Sequence, residues 1–100
     1  MGRFIHVAVF TWKPGVTDAE RAALVDGLAA LPALIPELRA YRFGPDVGLT
    51  TGNDEFAIVA EVDDVEAYRR YAAEPHHVDV IERLVRPILQ SRHAVQFTAT

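Results

Sequence analysis

Phe4-Ile5-His6-Val7-Ala8-Val9-Phe10-Thr11-Trp12 is apolar on both faces of what reads as a strand. Side chains alternate along an extended chain, so Ile5, Val7 and Val9 point one way and Phe4, His6, Ala8, Phe10 and Trp12 the other. A sheet covered by helices on one side alone keeps a wet, polar second face. Here both faces need cover, and the reading gives the His6/Phe10/Trp12 face to something other than the helices. A run at about 55 to 62 repeats the pattern, with Phe56, Ile58, Ala60 and Val62 on one face and Ala57, Val59 and two glutamates on the other. Shorter and more mixed runs at about 38 to 43 and 94 to 99 complete a set of four strands.

Helical signals fill the spaces between these runs. Thr17-Asp18-Ala19-Glu20 is a capping box, in which a hydroxyl and a carboxylate satisfy backbone donors that the first turn leaves unpaired. Leu24, Leu28, Leu31 and Ile35 then recur at helical spacing, and Pro32 and Pro36 end the helix. Asp63-Asp64-Val65-Glu66 opens a second helix with Val65, Tyr68 and Tyr71 or Ala72 inward, and Glu74-Pro75 closes it. A third begins at Pro75, which is tolerated in a first turn. Its apolar face is Val78, Ile81, Leu84, Val85 and Ile88, and Pro87 kinks or ends it. Two strand-helix-strand units in succession predict an α+β fold, a ferredoxin-like βαββαβ sandwich whose second helical segment is split in two. The Gly44 to Asp54 connection is long for a hairpin and is expected to meet a partner or flank a pocket.

One hundred residues, half of them hydrophobic, suit one small domain, which buries a modest share of its surface and gains from a partner chain. The absence of cysteine excludes disulfides and thiolate metal sites and suits a reducing cytoplasm. The opening residues carry no cleavage-site pattern, and no run approaches the roughly 18 to 20 apolar residues of a membrane span. A net charge of −4 with interspersed signs argues against nucleic acid.

Few residues are placed for chemistry. Gly44, Gly48 and Gly52 lack the Gly-Lys-Ser/Thr of a phosphate loop and read as turn glycines. His76 and His77 are neighbours whose rings diverge on a helix, so no metal site is expected, and His93 reads as solvated. Tyr71-Ala72-Ala73-Glu74-Pro75-His76-His77-Val78 is different, because it sets Tyr71 and His77 on either side of a break between helices. A half-buried imidazole at such a break is poised to act as a general base, a phenol can donate to a developing enolate, and His6 adds a second ring from the sheet. The same pattern also fits a capped helix start with a satisfied histidine and a core tyrosine.

These segments resemble the stress-responsive dimeric α/β-barrel domain family over nearly the whole chain, residues 1 to 100. The resemblance rests on His6-Val7-Ala8-Val9-Phe10 through Trp12-Lys13, Leu31-Pro32-Ala33-Leu34-Ile35-Pro36, Tyr41-Arg42-Phe43-Gly44-Pro45-Asp46, Phe56-Ala57-Ile58-Val59-Ala60, and Tyr71 through Glu74-Pro75-His76-His77-Val78. The last is similar to the family's His/Glu-Pro-x-His signature. The resemblance implies a homodimer in which two four-stranded sheets face each other and close a barrel. It further implies, for a polyketide cyclase-like member acting without cofactor on a small apolar carbonyl compound, His77 as base, Tyr71 as its assistant and His6 as the strand histidine. Gln96 stands where the pattern has an acid that orients the histidine, and Leu28 where such a pocket could use a polar group. The other reading is a non-catalytic, stress-associated or ligand-binding dimer, with a monooxygenase related by fold as a third.

Overall fold

The computed structural model describes residues 2–100. The elements run β1 (Phe4–Trp12), α1 (Asp18–Leu34), β2 (Ala40–Pro45), β3 (Phe56–Val62), α2 (Val65–Ala73), α3 (Pro75–Val80), a π turn (Ile81–Val85), a 3-10 turn (Arg86–Ile88) and β4 (Leu89–Thr98). The four strands form an antiparallel sheet in the order β2-β3-β1-β4, and the order of elements is the ferredoxin-like βαββαβ with a divided second helix.

Contrary to the expectation from strand alternation, the helices themselves cover the His6/Phe10/Trp12 face. Ala8, Phe10, Trp12, Phe56, Ile58, Ala60 and Val62 are all buried within the single chain, together with Leu24, Leu28, Leu31 and Ile35 of α1. The face left open is the opposite one. Cross-strand register sets Val7 between Val59 and Val95, and Ile5 beside Phe97, and both β4 residues are exposed. Strand alternation separates the two faces correctly but carries no information about which one the crossover helices choose; the bulky Phe10, Trp12 and Phe56 fill the deeper helix-side layer.

Local chemistry explains the helix ends. Thr17 Oγ1 accepts from the Glu20 amide at 3.1 Å while Glu20 Oε1 accepts from the Thr17 amide at 3.0 Å. Pro32 does not end α1, which runs through it to Leu34. A proline in the last turn removes one bond only, whereas Pro36 forces Ile35 into an extended conformation (φ −120°, ψ 100°), and the helix stops there. At Gly27 an added Cβ would lie 2.5 Å from Leu84 Cδ1, so the lack of a side chain lets α1 pack closely on the third helical segment.

The later helices differ from expectation by small rotations. In α2, Asp64 caps the Ala67 amide at 2.8 Å, and Ala67 and Tyr71 face inward while Val65 is exposed. Beyond Pro75 it is Val80, rather than Val78, that is buried. The π turn adds a residue to the helical repeat, with the Arg86 amide bonding the Ile81 carbonyl, so a uniform 3.6-residue period misplaces the stripe. Pro87 ends the helix in a 3-10 turn, and β4 starts at Leu89, well before the expected 94.

Candidate functional site

The split between α2 and α3 is built by Glu74. Its carboxylate caps α3, accepting from the His76 amide at 2.8 Å and the His77 amide at 3.1 Å, with Pro75 in the first turn. His76 Nδ1 meets the same carboxylate at 2.7 Å on the outside, and this leaves the His77 ring directed inward.

That inward side is a cavity of about 420 Å³ between the sheet and the second helical segment. Its floor is His6, Ala8 and Phe10 of β1 with Ile58 of β3. Tyr68 and Tyr71 of α2, His77 of α3, and Ile81 and Val85 of the π turn form the roof and wall. Arg86 of the 3-10 turn, with Leu89 and Arg92 of β4, completes the lining. The three site residues of the sequence reading, His77, Tyr71 and His6, therefore line one cavity although they come from three elements.

His77 is held by its backbone. Nδ1 lies 3.1 Å from the Ala72 carbonyl, so Nδ1 carries the proton that it donates there and Nε2 keeps a free lone pair. Burial lowers its pKa, against the opposing pull of the Ala72 carbonyl and the Glu74 charge, and the ring is neutral near pH 7. It lies 4.4 Å from the Tyr71 ring, centroid to centroid. Tyr71 is buried, and burial first, then the neighbouring Tyr41, raises its pKa well above the ordinary phenol range, so it is a hydrogen-bond donor at any physiological pH. Tyr41 stands edge-on to it at 6.4 Å and is itself pushed up to about 12 by burial. The two phenols influence each other without meeting hydrogen-bond geometry, and the Tyr41 hydroxyl is buried without a partner among the described residues.

His6 is the most strongly perturbed histidine. Burial, then the charges of Arg92 and His77, lower its pKa to about 4. The Gln96 amide nitrogen lies 3.0 Å from Nδ1 and donates to it, which places the remaining proton on Nε2. Two expectations about the surroundings change here. Gln96 orients His6, not His77, whose orienting partner is the Ala72 carbonyl. Leu28 is fully buried in the α1 core and does not reach the cavity.

Arg92 and Arg86 are the residues that sequence reasoning missed. The chain carries no local signal for Arg92: the β1–β4 register, which folding sets, pairs it with Phe10 and so puts it on the helix side of the sheet. The β2–β3 connection lines other hollows, with Trp12 and Arg21 in one and Val9 and Ala57 in another, and does not reach the histidine cavity. Among the described residues no group of three or more His, Asp or Glu side chains is placed to hold a metal ion, and no helix is long and apolar enough to cross a membrane.

Comparison with known proteins agrees with this architecture. The chain is 30% identical over 76 residues, 74% of its own length and 70% of the other's, to the stress-response A/B barrel domain-containing protein HS1 of Arabidopsis thaliana. A dimeric ferredoxin-like protein of unknown function from Thermobifida fusca superposes with a TM-score of 0.90 at 40% identity, covering 99% of this chain and 93% of that one. The hydroxynitrile lyase of Passiflora edulis shares the fold alone, with a TM-score of 0.86 at 12% identity over 99% of this chain and 94% of that one. The stress responsive A/B barrel domain matches residues 4–99, and the chain belongs to that family.

Proposed function

We propose that the histidine cavity is the active site of a cofactor-independent enzyme, polyketide cyclase-like in its chemistry, with His77 as general base toward a small apolar carbonyl compound. The observation that carries this reading is the His77 geometry: Nδ1–H is committed to the Ala72 carbonyl, which leaves the Nε2 lone pair free on a neutral ring that lines the same cavity as Tyr71. In the proposed step Nε2 takes a proton from the carbon beside a bound carbonyl, and the C–H electron pair becomes the enolate. The Tyr71 phenol donates to the enolate oxygen. Burial disfavours the resulting imidazolium, so the proton passes on readily to the product. His6, neutral and fixed by Gln96, offers an Nε2–H as a further donor.

The working unit in this reading is a homodimer of one-domain chains in a reducing cytoplasm, closed through the open sheet face into an α/β barrel. Val7, Val59, Val95, Ile5 and Phe97 form an apolar face there that the chain's own helices do not cover, and the Thermobifida fusca relative is described as dimeric.

The test is proton exchange. Wild-type protein in deuterated buffer should exchange the acidic hydrogens of a β-diketone with a short alkyl tail; His77→Ala should slow this by about 10² to 10⁴-fold with the fold intact, and Tyr71→Phe by a smaller factor. A ligand-binding role without chemistry is favoured instead if His77→Ala alters ligand-induced thermal shifts while wild type shows no exchange above buffer.

A further inference from the structure

We propose that the histidine cavity takes its ligand as an organic anion, with a carboxylate held by Arg92 and a compact apolar body lying inward over Ala8, Phe10 and Ile58. This rests on the reading of the cavity as a ligand site and gives its occupant a carboxylate in place of the uncharged compound named there. The chain as a whole is acidic, at −4, yet the cavity lining contains no aspartate or glutamate and two arginines. Arg86 is already committed, 2.9 Å from Glu82. Every other arginine outside the lining also stands within 4.0 Å of a carboxylate. Arg92 alone has no such partner among the described residues, and it is the one whose register turns it toward the cavity.

The rest of the lining suits the same ligand. Both histidines are neutral there, so neither supplies a competing cation nor a carboxylate-like acceptor for the guanidinium. Arg92 lines the same cavity as His6 and Tyr71. Ala8, Phe10, Ile58, Ile81, Val85 and Leu89 supply apolar surface, and next to such walls a charge-assisted, two-pronged arginine–carboxylate contact is stronger than in open water. A volume of about 420 Å³ lies within the range of small-molecule sites.

Octanoate and octanamide, equal in size and differing in charge, provide the test by titration calorimetry. Wild type should bind octanoate at least about tenfold more tightly than octanamide, the ratio expected of one charge-assisted contact. Arg92→Gln should bring the two ligands to similar affinity, and Arg92→Lys should restore part of the difference; β4 is exposed around Arg92, so both variants should fold as wild type does. Equal affinities in wild type, an octanoate preference untouched by Arg92→Gln, or no octanoate binding would each overturn the proposal. Octanoate binding does not use His77 as a base. An octanoate preference without diketone exchange therefore supports the anion site while the catalytic reading fails, and exchange without that preference does the opposite.

Discussion

Acidification should destabilise this protein through His6 before most carboxylates titrate. The ring has a pKa of about 4 when folded, against 6.5 as its ordinary value, because burial, Arg92 and His77 all oppose its charged form. Between those two values the unfolded chain binds more protons than the folded one, so stability rises with pH across that window. The contribution is complete above the unfolded value and is lost as the pH falls toward the folded one. At about pH 4.5 the two pKa values give a loss of about 2.5 kcal/mol relative to about pH 7, and solvent reaching the ring through the cavity trims this to about 2 kcal/mol. His6→Leu is the control, since Gln96 is exposed and water can replace the bond it loses. Trp12, buried and stacked on Phe10 at 5.4 Å, reports unfolding in urea by its fluorescence. Wild type should lose about 2 kcal/mol more than His6→Leu between about pH 7 and about pH 4.5. Equal losses, or an imidazole resonance of His6 that titrates near 6.5, would refute the reasoning.

Thr17→Ala should lower stability by about 0.5 to 2 kcal/mol, because it removes a hydroxyl that accepts from the Glu20 amide, and chemical denaturation measures it. Val95→Glu should convert the proposed dimer to monomer in sedimentation with little change in secondary structure, whereas Phe10→Asp should fail to fold at all, since its carboxylate would be buried unpaired beneath the helices at a cost of several kcal/mol. A folded Phe10→Asp monomer would return that face to the interface. In the exchange assay, His77→Ala should be more damaging than Tyr71→Phe, and the reverse order would move the base from His77.

Much of this architecture was legible in the chain itself. Period-two alternation in 4–12 and 56–62, the Thr17/Glu20 box, the Leu24/Leu28/Leu31/Ile35 stripe and the Glu74-Pro75 break are local signals, and local signals fix local conformation. Tyr71, His77 and His6 were recognisable as chemical candidates because each sits at an element end or among apolar neighbours. Three matters lay beyond the sequence. Which apolar face of β1 the helices cover depends on the crossovers, and both faces of Phe4–Trp12 satisfy the same pattern. The inward position of Val80 in place of Val78 depends on a π turn whose extra residue has no composition signature. The company kept by Gln96 and Arg92 depends on the β1–β4 register across some ninety residues of chain, and only folding brings Gln96 against His6 and Arg92 to the cavity that His77 and Tyr71 roof.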